Sequence, residues 1–170
     1  MKLTSLEAIL TVLKQQDVRY LIVGGLAVTA HGYGRLTIDV DLVVQLQTNN
    51  IRQALQALSS LGYRPVAPIA AEQFADPAIR EVWIREKHMV VLGLHSAQHP
   101  ETPVDIFTTE PFNFDEEYQR ALVGEIAPGL LARFVCLETL IKMKAATGRE
   151  RDQDDVRTLR QLGERKDDDS

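Results

Sequence analysis

The chain is expected to fold as an α+β domain, a mixed sheet of about five strands with packed helices and a C-terminal helical extension. Three observations predict this. Five short runs rich in β-branched and aromatic residues punctuate the first two thirds of the chain, and they are separated by segments of helical period rather than by hairpin turns alone. From Asn113 onward helical patterning dominates. The 170 residues, 45% hydrophobic and 25% charged, suit a soluble globular chain with one real core.

Each element has its own signal. Thr4 and Glu7 have capping-box spacing, and Leu6, Ile9, Leu10 and Leu13 follow at helical period, so the chain opens with an amphipathic helix. Arg19 to Val23 is a strand that ends at Gly24-Gly25, and LAVTAHG continues as a helix. GYGR breaks that helix, and Leu36 to Val44 is the second strand. Asn50 is placed to cap a helix to about Leu61, closed by Gly62. Residues 65 to 77 lack a period and form a loop; EVWIRE, HMVVLGLHS and PVDIFTT then supply three more strands. Asn113 with Glu116 caps the helix EEYQRAL, a longer helix runs from about Leu137 to Thr147 and stops at Gly148, and a last one spans about Glu150 to Leu162. The organisation expected is a core over 1–112, a helical extension over 113–163 and a disordered acidic tail over 164–170.

The net charge of −5 includes three aspartates in the closing KDDDS, so no global basic field is available to grip nucleic acid. No apolar run approaches the 18 or so residues of a membrane span, and MKLTSLEAIL reads as a helix start, so a cytoplasmic protein without membrane association is expected. The single cysteine, Cys136, forbids an internal disulfide; with Phe134, Val135 and Leu137 it reads as part of an apolar helical pattern in the core.

Asp39 and Asp41 interrupt the second strand. At i and i+2 they share one face, roughly 7 Å apart, where two carboxylates repel and aspartate is a poor strand former. Ile38, Val40 and Leu42 then face the core. A divalent cation is the natural compensation, and Mg²⁺, which binds a few carboxylates and completes its shell with water and phosphate oxygens, makes a nucleotide the expected companion. The bland alternative is a solvated pair at a strand end. Gly24-Gly25 argues against it: at a strand-to-helix junction, free backbone N–H groups favour an anion and a side chain would block its approach. Asp105, in the apolar run PVDIF, is a third such carboxylate; if its strand lies beside the first, the three can hold two Mg²⁺ ions.

The order GG, spacer, D-x-D within apolar residues and a later lone strand aspartate resembles the DNA polymerase β-like nucleotidyltransferase superfamily. The string VGGLAVTAHGYGRLTIDVDLVV is similar to its minimal bacterial branch, the AbiEii-type nucleotidyltransferases associated with type IV toxin–antitoxin systems. LETLIKMKAATGRERDQDDVRTL resembles the helical segment that follows the core in that branch. The resemblance implies a nucleotidyltransferase fold and Mg²⁺-dependent transfer of a nucleoside monophosphate from an NTP to a hydroxyl acceptor, tRNA or protein, with release of pyrophosphate. It implies metal ligation and catalysis by Asp39, Asp41 and Asp105, a triphosphate turn at Gly24 and Gly25, a phosphate contact from Lys144, and a cognate antitoxin or toxin as partner. Many members carry Gly-Ser where this chain has Gly-Gly, so one hydroxyl contact to phosphate is missing.

Other residues leave alternatives open. Arg35 meets a phosphate or pairs with Asp39, and Thr37 shares the face of the aspartates. Lys142, Lys144, Arg149 and Arg151 form the one local basic cluster, a phosphate site or a solvated helix face. Asp152 and Asp155, at i and i+3, orient Lys144 or Arg149, act as a base, or form ordinary helix ion pairs. His31 contacts substrate or serves the helix end; His88, His95 and His99 have no metal-like spacing; Tyr33 and Trp83 stack on a base or belong to core and rim. Thr37 stands where a dinucleotide fingerprint needs glycine, and no P-loop is present. The alternative to an enzyme is a non-catalytic nucleotide-binding antitoxin or regulatory module acting through a protein partner.

Overall fold

A computed structural model describes residues 1–168. Seven helices are described, α1 Leu3–Gln15, α2 Gly24–Ala30, α3 Thr48–Ser60, α4 Pro77–Lys87, α5 Phe114–Arg120, α6 Leu137–Ala146 and α7 Glu150–Asp168. The strands are β1 Tyr20–Val23, β2 Val40–Val44, β3 Arg64–Pro65, β4 Val91–His95, β5 Val104–Phe107, β6 Leu122–Ala127 and β7 Leu130–Phe134. They form one mixed sheet in the order β3-β4-β5-β2-β1-β7-β6. The α+β expectation holds, with seven strands rather than about five.

The sheet and helices share one apolar core, with Ile9, Leu10 and Leu13 of α1, Leu21 and Ile22 of β1, Leu42 of β2, Ile51 and Leu58 of α3, Ile106 of β5 and Leu140 of α6 fully buried. Each such side chain contributes about 1.5–3 kcal/mol of transfer free energy. The core therefore fixes the strands that carry the polar residues described below. Among the described residues no helix is long and apolar enough to cross a membrane.

Several local expectations are corrected. EVWIRE is not a strand but the body of α4: Asp76 caps the helix, accepting from the Ala78 N–H at 2.8 Å, and Pro77 occupies its first position. The aspartate–proline start outweighs the aromatic and β-branched residues, of which Trp83 is buried against Phe74. Residues 113–163 are not purely helical, because β6 and β7 form a hairpin across the Pro128-Gly129 turn, where Gly129 has φ +74°, and β7 then joins the sheet beside β1. Phe134 thus ends a strand, Val135 follows it, and Cys136 is the half-buried N-cap of α6, its N–H donating to Glu117 Oε1 at 2.6 Å.

The remaining shifts are at helix starts and ends. Thr4 lies inside α1, whose N-cap is Lys2 with no side-chain cap. Asn50 lies inside α3 and ties two elements instead, accepting from Arg19 N–H and donating to Arg19 and Gln45 carbonyls. Asn113 caps α5 as expected, accepting from Glu116 N–H at 3.2 Å. The last helix continues to Asp168, through most of the segment expected to be a disordered tail; residues 169–170 lie outside the described residues.

Candidate active site

Strand register brings the acidic residues together. β1 and β2 are antiparallel with Val23 opposite Asp41, so the chain leaves β1 into Gly24 directly beside that aspartate. β2 and β5 are parallel with Asp41 opposite Asp105. In-register residues on adjacent strands stand about 4.8 Å apart with side chains on the same face, so these two carboxylates are neighbours. β2 starts only at Val40; Asp39 sits one residue ahead of it, at the end of an irregular loop, and Ile38 is exposed rather than in the core. All three aspartates line one cleft of about 360 Å³.

The two glycines are explained by close packing. Gly24 has φ +65°, and a Cβ there would stand 1.9 Å from Asp41 Oδ2. A Cβ on Gly25 would stand 2.6 Å from Thr37 Oγ1 and 3.4 Å from the Arg35 guanidinium. A serine at 25 would therefore meet Thr37, whose hydroxyl already occupies that space. Both glycines are the price of bringing the Asp41 carboxylate and the 35–39 loop hard against the start of α2.

Electrostatically the trio is compensated only in part. Burial, and then the charges of Asp105 and Asp39, push the Asp41 carboxyl up to about 6, with Lys144 and the Gly25 N–H drawing it back only in part. Burial and the Asp39 charge raise Asp105 as well. Among the described residues no three His, Cys, Asp or Glu side chains close into a ready-made metal cage. The donor set is nonetheless hard oxygen only, mutually repelling and open to a cleft. That suits Mg²⁺, which takes one or two carboxylates and leaves its other positions to water and phosphate oxygens.

The opposite wall comes from α6, α7 and the loop before β2. Lys144 is buried, its Nζ donating to Asp152 at 2.6 Å and pairing with Asp155 at 3.0 Å. Asp152 also accepts from Thr147 Oγ1 at 2.6 Å and Arg149 Nε at 2.7 Å. Burial alone would raise Asp152, but the bonds from Lys144, Thr147 and Arg149 outweigh it and hold the carboxyl down to about 2. Asp155 pairs with Arg35 in addition, and the Arg35 Nε is buried without a hydrogen-bond partner among the described residues.

The profile of the family described as "Nucleotidyltransferase of unknown function (DUF6036)" matches residues 1–164. The chain belongs to this nucleotidyltransferase family. No curated protein sequence matches it. Among solved structures it is similar to ANT(2″)-Ia in complex with adenylyl-2″-tobramycin, at 15% identity and a TM-score of 0.58 over 92% of this chain and 86% of that one. It is similar to the lincosamide antibiotic adenylyltransferase LnuA with lincomycin bound, at 14% identity and 0.58 over 91% and 93%. A third neighbour is an antigenic nucleotidyltransferase-like protein from Paracoccidioides brasiliensis, at 18% identity and 0.53 over 94% and 74%. The protein is a nucleotidyltransferase and carries the nucleotidyltransferase fold.

In this nucleotidyltransferase the residues singled out from the sequence, Gly24, Gly25, Arg35, Thr37, Asp39, Asp41, Asp105 and Lys144, all line the one cleft. Arg35 pairs with Asp155 rather than with Asp39. Arg149 and Arg151 belong to the cleft, but Lys142 faces solvent and pairs with Glu138 at 2.7 Å. Trp83 and Tyr33 are not among the cleft residues, and His31 is buried with Nε2 at 2.8 Å from the Val135 carbonyl. Sequence reasoning passed over Phe107, Leu140, Met143 and Thr147 as lining, and also Leu36 and Ile38, the latter expected in the core. Two carried a usable signal: Phe107 is two residues beyond Asp105 on the same strand face, and Leu140 is one helical turn before Lys144.

Proposed function

We propose that the cleft transfers a nucleoside monophosphate from an NTP to a hydroxyl acceptor with Mg²⁺ as cofactor. The observation that carries this reading is the register that sets Asp41 against Asp105, with Asp39 beside them, across one cleft from Lys144. Asp39, Asp41 and Asp105 are the residues to hold the metal, one ion or two. When bound, Mg²⁺ supplies charge neutralisation for the transferring phosphoryl group and for the acceptor oxygen.

The chain's own residues do the rest. Lys144, with Arg149 and Arg151 nearer the mouth, offers positive charge to a triphosphate laid against the Gly24-Gly25 turn. The acceptor oxygen attacks the α-phosphorus, the bond to the bridging oxygen breaks and pyrophosphate leaves, while the hydroxyl proton passes to a carboxylate. Asp105, whose carboxyl is raised above the ordinary range, is suited to accept it. No covalent enzyme intermediate is required; positioning and charge account for the rate.

The AbiEii-type resemblance extends the proposal to tRNA or protein as acceptor, in the cytoplasm, and to the role of toxin beside a cognate antitoxin. The neighbours solved with adenylyl-tobramycin or lincomycin favour instead a hydroxyl-bearing small molecule, and the net charge of −5 gives no general hold on RNA. Incubation with Mg²⁺ and each α-labelled NTP, with tRNA, with lysate protein and with aminoglycoside or lincosamide acceptors, decides between them. Label on one acceptor class supports transfer and identifies the acceptor; nucleotide binding without transfer to any class would favour the regulatory module.

A further inference from the structure

The loop between α2 and β2 carries Arg35, Thr37 and Asp39, yet little of its own backbone holds it. The Tyr33 N–H donates to the Val28 carbonyl at 3.2 Å and the Val40 N–H to the Pro103 carbonyl at 3.0 Å. Among the described residues no turn or strand bond of the backbone intervenes over 34–39. The anchors come from α7: Arg151 donates to the Leu36 carbonyl at 3.1 Å, and Asp155, itself buried, pairs with Arg35. The same Asp155 carboxylate pairs with Lys144 of α6 at 3.0 Å. One carboxylate thus ties the metal-binding loop to the helix bearing the cleft's buried lysine.

We infer that Asp155 is a positioning residue, a clamp from α7 that fixes the 34–39 loop, and with it Asp39, by holding Arg35 and Lys144 on a single buried carboxylate. The anchoring follows from the contacts alone; its effect on rate rests on the nucleotidyl-transfer reading. The charge pattern suits a clamp rather than a substrate contact. Asp155 already faces two cations, and Asp155 is not among the residues that line the cleft. Removing it leaves Arg35 without its ion-pair partner at the base of a loop that has no ladder to hold it. Asp152 does not substitute, because its contacts are to Lys144, Thr147 and Arg149 within the α6–α7 corner and not to the loop.

The test compares wild type, Asp155→Asn, Arg35→Gln and the double variant by three readouts: ¹⁵N relaxation order parameters of the 34–39 amides, affinity for Mn²⁺ alone, and thermal midpoint. Asp155→Asn is expected to lower the loop order parameters from the rigid range, about 0.85, toward the flexible range below about 0.6. It is expected to weaken Mn²⁺ binding about 10-fold, the usual effect of losing an outer-shell support, and transfer about 10²-fold, the usual effect of a misplaced group. The double variant removes both charges, so it should regain much of the thermal stability lost by Asp155→Asn while its loop stays mobile. Unchanged order parameters in Asp155→Asn, or loop order regained together with stability in the double variant, overturns the clamp. A wild-type protein that transfers nothing counts against the proposed reaction, while the order parameters still decide the clamp.

Discussion

Four aspartates line the cleft and a fifth, Asp155, stands behind it on Arg35 and Lys144; they fall into two groups whose fates are opposite. Asp39, Asp41 and Asp105, at the start of β2 and β5, face one another with too little positive charge, and Asp41 is pushed up to about 6. Asp152 and Asp155, on α7, are more deeply buried yet each meets at least two cations, and Asp152 is held down to about 2. Burial penalises both groups; what differs is whether the chain supplies the counter-charge. Where it does, the carboxylates fasten Lys144 and Arg35 in place. Where it does not, the repulsion stands in the protein alone, and on the proposed function a cation and a substrate relieve it.

The sharpest way to break this contrast is to neutralise one member of each group. Asp41→Asn and Asp39→Asn should each lower transfer by about 10³-fold or more, the loss of several kcal/mol of transition-state stabilisation, measured with labelled NTP. Their thermal midpoints should stay level or rise, since a repulsion is relieved. Lys144→Met should do the reverse to the fold: two buried carboxylates lose a shared cation, which costs about 3–5 kcal/mol in urea denaturation. Equal and opposite results, a destabilised Asp41→Asn and a stable Lys144→Met, would overturn the distinction.

Packing gives a finer test. Gly25→Ser places a Cβ against Thr37 Oγ1 and should cost about 1–3 kcal/mol of stability with a loss of transfer. Adding Thr37→Ala should recover a large part of the stability, because the clash is with that hydroxyl; calorimetry on the two variants checks the coupling.

The smallest effect is the pH dependence of the metal-free protein. The Asp41 carboxyl rises from 3.8 to about 6 on folding, so its contribution is fully present below pH 4 and is lost as pH rises through 6. Asp152 falls from 3.8 to about 2, so its contribution is present above pH 4 and is lost as pH falls through 2. Thermal midpoints from pH 2 to 7 should therefore peak between these windows. Asp41→Asn should flatten the neutral limb and leave the acid limb unchanged, and saturating Mg²⁺ should do the same.

The sequence made the acidic group legible and the paired group only partly so. Asp39, Asp41 and Asp105 stood out because charge within apolar strand runs is locally costly, a signal that needs no knowledge of partners. The glycines were legible as a junction, but their packing against Asp41 and Thr37 depends on register and appears only in three dimensions. The Arg35–Asp155 pair spans 120 residues, which no local period reveals. In the fold, EVWIRE failed because local strand propensity lost to the Asp76-Pro77 helix start, and β6 was hidden because its exposed edge residues lack the alternation of a half-buried strand, although its partner β7 buries Leu130, Ala132 and Phe134 in alternation.

The claim at the centre is that the three carboxylates hold a metal together with a nucleotide. Calorimetric titration of Mn²⁺ with a non-hydrolysable NTP analogue at pH 7.5, into wild type and into the Asp41→Asn and Asp105→Asn variants, tests it directly. The account predicts joint binding by wild type, weakened at least about 100-fold in either variant. Equal affinity in all three proteins would contradict it.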